Sequence, residues 1–173
     1  MATVYIPAKI RYAKVFEHNR DMGENLQPGD QKDKIEATQG QYVCDLVVTP
    51  EGMSKAIADG IPDKGMIGMR WKTDSEGNDY YKASRKHFNP NMTDKETGEK
   101  GVVQGPPQIM KKDPEGNNVL WNFEEDGYIG NDSEVVAKMN VWEGKIVDLQ
   151  AILVLEHVEF VPDVDESGFG GGY

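Results

Sequence analysis

The sequence predicts a mostly β domain in which short strands close into a small barrel or pack as a sandwich. Three observations support this prediction. Apolar and polar residues alternate along several segments, turn-forming residues separate those segments, and a single segment carries the signals that start and end a helix. The length of 173 residues suits one domain, and hydrophobic residues make up 38% of it, which is enough to build a core.

The composition gives no support to membrane, secreted or metal-binding classes. The longest apolar run, at residues 151–155, is far too short to cross a bilayer, and no signal peptide is visible, so we expect a cytoplasmic protein that does not contact membranes. The single cysteine, Cys44, lies in an apolar run and is expected to be buried. The three histidines are not spaced as metal ligands, and we expect no metal and no other cofactor.

The first third of the chain predicts two strands, a loop and a helix. A half-buried strand is expected over residues 3–16, a long polar loop over residues 17–39 and a second strand over residues 42–48. Thr49 as N-cap and Pro50 at the first helical position then start a short helix. One side of the first strand carries Val4, Ile6, Ala8, Ile10 and Tyr12, and the other side carries Lys9 and Arg11.

The remainder of the chain predicts three strand pairs and one exposed loop. The pairs are residues 66–73 with 79–88, residues 108–112 with 119–122, and residues 134–142 with 145–160, and the loop covers residues 89–105. The order of these elements favours a five-stranded barrel of the oligonucleotide-binding (OB) type, with additional strands, one short helix and long loops. We expect this domain to span residues 1–162, followed by a flexible acidic tail at residues 163–173.

The predicted hairpin at residues 66–88 alternates aromatic and basic residues, although the whole chain has a net charge of -11. Single-stranded nucleic acid requires this mixture, because unpaired bases stack on aromatic rings for about 1 to 3 kcal/mol each while phosphates need cations along the same groove. The alternative is an ordinary solvated strand pair whose rings fill the core. A period of two places Tyr80, Lys82, Ser84, Lys86 and Phe88 on one face, which is the predicted binding surface, and Tyr81, Ala83, Arg85 and His87 on the other.

Other cations and one further ring extend the candidate set. Lys9 and Arg11 could lengthen the cationic groove, and the pair Lys111 and Lys112 could hold a phosphate beside a turn, although ordinary solvated positions explain all four equally well. Trp71 is expected in the core. The candidate nucleic-acid-binding residues are Lys9, Arg11, Arg70, Lys72, Tyr80, Lys82, Arg85, Lys86, Phe88, Lys111, Lys112 and Trp121.

No catalytic residue is predicted. The acidic residues lie mostly in turns, without the spacing or the neighbouring base that acid–base or metal chemistry needs. The glycine-rich end is not followed by a helix and is therefore not a phosphate-binding loop. The acidic tail could instead occupy the cationic groove as a mimic of nucleic acid or contact basic partner proteins, or act only as a solubilising terminus. Its candidate interaction residues are Asp163, Asp165, Glu166, Phe169 and Tyr173.

Several segments resemble the single-stranded DNA-binding proteins of T-odd tailed bacteriophages. Residues 40–48 resemble the early core strand of that family, residues 80–88 its basic and aromatic strand, residues 127–135 the start of its penultimate strand and residues 147–155 its last strand. The acidic tail that ends in an aromatic residue occupies the same place.

The resemblance implies an OB barrel that coats single-stranded DNA (ssDNA) during phage DNA replication and recombination in the cytoplasm of an infected bacterial host. It also implies tail contacts with a phage DNA polymerase and helicase-primase, and a homodimer. Two alternatives remain open at this point: a non-catalytic structural or interaction protein of a virion with a β-sandwich fold, and a metal-dependent nuclease.

Overall fold

The computed structural model describes residues 1–63 and 70–160, and within these ranges it contains ten strands and three α-helices. The alternation of apolar and polar residues accounts for the longer strands, which are buried on one face only. In chain order the elements are β1 (Ala2–Lys14), a 3-10 turn (Glu17–Asn19), α1 (Asp30–Ala37), β2 (Gln41–Val48), α2 (Pro50–Asp59), β3 (Trp71–Thr73), β4 (Asp79–Lys86), β5 (Phe88–Thr93), β6 (Lys100–Val103), β7 (Gln108–Lys112), β8 (Asn118–Leu120), α3 (Phe123–Asp126), β9 (Ser133–Trp142) and β10 (Ile146–Glu156).

Eight of the described strands form one sheet in the order β3-β4-β2-β1-β9-β10-β7-β8, and β5 and β6 form a separate ribbon. The pairs of the sheet are antiparallel except for β10 with β7. The sheet curls until β4 and β10 lie side by side, where Arg85 on β4 bonds to Asp148 on β10. Strands β1, β2, β4, β9 and β10 therefore close a barrel. The predicted mostly β fold of the OB type is confirmed, and a closed barrel stands in place of the sandwich.

The core fills the barrel, and α2 packs against it. Val4, Ile6 and Ile10 of β1 are buried there, as the alternation predicts. Thr49 caps α2 as predicted, because its Oγ1 accepts a hydrogen bond from the Gly52 N–H at 3.0 Å. Cys44 is buried as expected, and burial raises the pKa of its thiol. Among the described residues no helix is long and apolar enough to cross a membrane.

Two segments predicted as loops contain secondary structure. Residues 17–39 include α1, which buries none of its residues and therefore carries no apolar periodicity for a prediction to detect. Residues 89–105 include the β5–β6 ribbon, whose turn is closed by a hydrogen bond from the Gly98 N–H to the Asp94 carbonyl at 2.8 Å. The short helix α3 was also not predicted, so the expectation of a single helix is wrong.

Several strands differ from the predicted bounds or faces, and part of one predicted strand lies outside the described residues. The strand predicted at residues 66–73 is described only from residue 70 onward, and its first part lies outside the described residues. The last strand ends at Glu156, and the chain then folds back, with the Gly130 N–H donating to the Val158 carbonyl at 2.9 Å. Tyr12, predicted on the inner side of β1, is 68% exposed because the β1–β2 register shifts between Arg11 and Lys14.

Candidate nucleic-acid interface

The outer surface of four neighbouring strands, β1, β2, β4 and β3, collects candidate side chains from distant parts of the sequence. In one cross-strand row Lys9 pairs with Val47, Val47 with Tyr80, and Tyr80 with Lys72. Side chains of directly paired residues project from the same side of a sheet. The buried neighbours of these residues, such as Ile10 and Tyr81, point into the barrel.

A second row on the same surface joins Arg11 to Asp45 and Asp45 to Lys82. The two rows together form what we call the cationic face, defined by Lys9, Arg11, Lys72, Tyr80 and Lys82, with Asp45 in their midst. Lys9, Lys72 and Lys82 are exposed, and Tyr80 is half-buried. The structure therefore brings five of the predicted residues together on one surface.

Asp45 provides a second sign that these cations converge. Burial raises the pKa of its carboxyl above the ordinary value, while Lys82, Lys72 and Arg11 act in the opposite direction. Three cations from three different strands therefore lie close enough to influence one carboxylate. Four cations thus surround Asp45, while Asp74 and Asp132 bond to Arg11 and Glu134 pairs with Lys9 in the register of β1 and β9.

Arg11 is the most constrained cation of the face. Its Nε lies 2.9 Å from Asp132 Oδ1 and its Nη1 lies 3.4 Å from Asp74 Oδ2. The hydrogen bond to Asp132 is the main reason that the pKa of Arg11 is raised. In contrast, Lys9, Lys72 and Lys82 form no ion pair with any carboxylate in the described part of the chain. The lysines are thus available to phosphates, whereas Arg11 must exchange partners first.

Arg70 and Lys86 lie at the borders of the face. The Arg70 carbonyl accepts a hydrogen bond from the Lys82 N–H at 2.9 Å, and the exposed Arg70 follows the edge of β4. Lys86 is exposed at the end of β4, opposite Gln41. Both positions could extend the cationic face by one further charge.

Arg85 projects into the seam that closes the barrel. Its Nη1 donates to Asp148 Oδ2 at 2.5 Å and its Nε to the Gly105 carbonyl at 2.9 Å, and only 12% of each charged side chain is exposed. Burial raises the pKa of Asp148, with Arg85 acting against that rise. The geometry favours a structural role for Arg85, and its contact with nucleic acid stays a prediction.

Phe88 does not share a face with Tyr80, so that part of the predicted surface is wrong. The chain bends at the buried His87, which is bonded to the Tyr42 hydroxyl at 2.6 Å, and Phe88 then begins the ribbon. Its ring packs over Gly101, where any side chain would collide with it. A role of Phe88 in binding stays a prediction of its own, separate from the cationic face.

The remaining candidates lie on or beside β7 and β8, beyond β9 and β10 from the cationic face. Lys111 Nζ bonds to Asp126 at 2.8 Å, and Lys112 is exposed. Trp121 donates from its indole N–H to the Gly127 carbonyl at 2.9 Å and packs against the core, which favours a structural role. The contacts of these three residues with nucleic acid remain untested predictions. The tail residues Asp163, Asp165, Glu166, Phe169 and Tyr173 lie outside the described residues.

Tyr12 is a candidate that the sequence pattern misses. Alternation places it with Ile10 in the core, whereas the irregular register of β1 turns its ring outward. No local signal in the sequence marks this irregularity. In residues 1–63 and 70–160, no group of three or more histidine, cysteine, aspartate or glutamate side chains is arranged to hold a metal ion.

The sequence matches no protein-family model and no curated protein. The fold is similar to solved structures of the single-stranded DNA-binding protein from bacteriophage Enc34. A C-terminal truncation of that protein has a TM-score of 0.52 and 12% identity, covering 92% of this chain and 88% of that chain. The Enc34 protein in complex with ssDNA has a TM-score of 0.52 and 14% identity, covering 91% of this chain and 88% of that chain. A third Enc34 structure has a TM-score of 0.50 and 14% identity, covering 96% of this chain and 88% of that chain. At these identities the likeness is one of fold.

Proposed function

We propose that this protein binds single-stranded DNA on the cationic face. The observation that carries the proposal is a half-buried tyrosine ring, Tyr80, set among Lys9, Lys72 and Lys82 on one open sheet surface. A ring for stacking and free cations for phosphates are the two components that single-strand binding needs. The fold shared with the Enc34 proteins, one of them in complex with ssDNA, supports the proposal.

The binding mode follows from the side chains of the face. Tyr80 stacks on a base, and stacking accepts any base because each base has a π surface. Lysine meets a phosphate as a point charge and reads no base edge. Binding is therefore tolerant of sequence and sensitive to salt. If each of the three free lysines neutralises one phosphate, the slope of log K against log salt is about -2 for a single strand.

In this proposal the protein coats and protects ssDNA during phage DNA replication and recombination, in the cytoplasm of the infected bacterium, without catalysing a reaction. The fold similarity to the single-stranded DNA-binding protein from bacteriophage Enc34 supports a phage role. We also propose that the acidic residues 163–173 contact a phage DNA polymerase or helicase-primase and compete with DNA for the cationic face, and that the chain forms homodimers. Deleting residues 163–173 should then tighten DNA binding at low salt.

A fluorescence titration with oligothymidine across a salt series tests the central proposal. We expect binding that weakens steeply as salt rises, and weaker binding to a duplex of matched length, in which the bases are already stacked. An affinity that does not change with salt concentration would contradict the proposed contacts between the lysines and the phosphates. Absence of binding to any single-stranded oligonucleotide would favour a structural or interaction protein instead.

A further inference from the structure

A cleft of about 630 Å³ opens where β1 ends, beside the irregular register at Tyr12. Its size falls within the range of about 300 to 1,000 Å³ that is typical of ligand pockets. Rings, amides, one cation and one carboxylate line it: Tyr12, Lys14, Asn19, Tyr128, Asn131, Glu159 and Phe160.

The backbone holds the Tyr12 ring at the mouth of this cleft. Tyr12 has a φ of 51°, which is uncommon for a residue with a bulky side chain, and its ring is 68% exposed. Its N–H donates to Asn131 Oδ1 at 2.8 Å, and the next residue, Asp132, donates its N–H to the Ile10 carbonyl at 2.8 Å. Strained residues that their surroundings hold in place concentrate at functional sites. Here the strain presents an apolar ring to solvent instead of burying it.

The cleft is also lined by the Tyr128 and Phe160 rings, and Tyr128 has several contacts with its neighbours. The Tyr128 ring packs edge-to-face against Phe123, with ring centres 4.8 Å apart, and against Phe160, with ring centres 5.5 Å apart. A hydrogen bond of 2.8 Å joins the Tyr128 hydroxyl to His18 Nε2. Phe160 is 52% exposed, so a second ring is open to a ligand. The Tyr12, Tyr128 and Phe160 rings together suit a flat, aromatic ligand.

The cleft is continuous with the cationic face. Tyr12 directly follows Arg11, one of the residues that define the face, and Lys14 stands two positions further along β1. Lys14 forms no ion pair within the described ranges, so it can meet the phosphate next to a base in the cleft. A single strand that crosses β4, β2 and β1 therefore reaches the cleft at the end of β1.

We propose that this cleft receives one unstacked nucleobase of the bound DNA, between the Tyr12 ring and the wall formed by Tyr128 and Phe160, with Lys14 on the adjoining phosphate. The inference rests on the proposed function, since it needs DNA on the cationic face. It adds a second stacking position that lies outside the face itself, at the end of the barrel.

Photo-crosslinking of the full chain to oligothymidine that carries 5-iodouracil tests the inference. Irradiation and peptide mass spectrometry should find crosslinks at Tyr12, Tyr128 or Phe160 in addition to Tyr80. Crosslinks confined to the cationic face would overturn the inference and leave the proposed function standing. If no oligonucleotide binds at all, the proposed function fails and the cleft loses its ligand with it.

Substitutions give an independent measurement. Tyr12→Ala should weaken oligothymidine binding by about 5- to 150-fold, the loss expected for one base stack, while Tyr12→Phe keeps the ring at the same backbone conformation and should bind like the parent chain. The matched control is Trp142→Ala, which removes an exposed ring at the opposite end of the barrel and should change nothing. Unchanged binding by Tyr12→Ala, with a clear loss for Tyr80→Ala in the same assay, would reject the cleft alone.

Discussion

The two faces of β4 carry similar side chains that differ in burial and in ion pairing. On the inner face the Tyr81 ring lies 5.0 Å from the Trp71 ring, edge to face, and burial raises the pKa of Tyr81 to about 12. Arg85, on the same side, is bonded to Asp148. On the outer face Tyr80 is half-buried and Lys82 is exposed without an ion pair in the described part of the chain.

The comparison shows that residue type alone does not identify a binding surface. Each face has one tyrosine and at least one cation, which is Arg85 on the inner face and Lys82 with Lys86 on the outer face, so composition cannot separate the two faces. Burial and existing ion pairs separate the two faces. A ring in the core cannot stack on a base, and a guanidinium in a buried ion pair cannot bind a phosphate without leaving a carboxylate uncompensated. The inner face builds the barrel, and the outer face is the proposed binding surface.

The largest expected effect comes from breaking the inner face. Arg85→Ala leaves Asp148 buried without its partner, and loss of one member of a buried pair costs about 3 to 5 kcal/mol of the free energy of unfolding. Urea denaturation measures this cost. The control on the same strand is Lys82→Ala, which should stay within about 0.5 kcal/mol because an exposed lysine has no structural partner to lose. Equal destabilisation by the two variants would contradict the division of β4 into a structural and a binding face.

The next effect concerns the ring of the outer face. Tyr80→Ala should weaken oligothymidine binding by about 1 to 3 kcal/mol, since one base loses its stack, and Tyr80→Phe should retain most of the affinity. Phe88→Ala sharpens the comparison, because Phe88 lies on the ribbon and not on the cationic face. Oligothymidine titrations of Tyr80→Ala, Tyr80→Phe and Phe88→Ala measure these effects. A loss for Phe88→Ala as large as that for Tyr80→Ala would add the ribbon to the interface.

The sequence pattern assigns side chains to the correct face only where a strand continues without interruption. Alternation assigns Tyr80, Lys82 and Lys86 to the outer face correctly because β4 continues unbroken through Lys86. It fails at Phe88, where the N–H bonds to the Thr38 carbonyl at 2.8 Å and the chain leaves β4. That bond joins segments far apart in the sequence, and no local pattern encodes it.

Long-range contacts also explain the other failures. The exposure of Tyr12 depends on Asn131, which lies 119 positions along the chain. The position of Lys9 in the same cross-strand row as Tyr80, with Val47 between them, depends on the register of β1, β2 and β4, which the sequence of β1 alone does not contain. The sequence predicts which side of each strand is polar, whereas the assembly of polar sides into one face depends on pairing across the sheet.

A smaller effect distinguishes free lysines by their position. Lys82→Ala should reduce the steepness of log K against log salt by about 0.7, the contribution of one phosphate contact on a single strand. Lys112→Ala is the matched control, since Lys112 is exposed like Lys82 but lies on β7, which β10 separates from β4. Titrations over the same salt series give both slopes. If Lys112→Ala changes the slope as much as Lys82→Ala does, the DNA path extends over β7, as the sequence alone would allow.

The smallest effect tests the one carboxylate within the cationic face. DNA phosphates near Asp45 disfavour its charged form, so the protonated form binds DNA more tightly, and affinity should rise as the pH falls toward the pKa of Asp45. Burial raises the pKa of Asp45 above its ordinary value, so this rise in affinity begins at a higher pH than it would for an exposed aspartate. Asp45→Asn should therefore tighten binding by about 0.2 to 1 kcal/mol at neutral pH, the range for a single partly exposed charge, and should flatten the pH dependence. Glu115→Gln removes an exposed carboxylate from the β7–β8 turn and should alter neither. If Asp45→Asn and Glu115→Gln have the same DNA affinity and pH dependence, the DNA does not pass over the centre of the cationic face. Tyr80 would then have to contact DNA at the edge of the face.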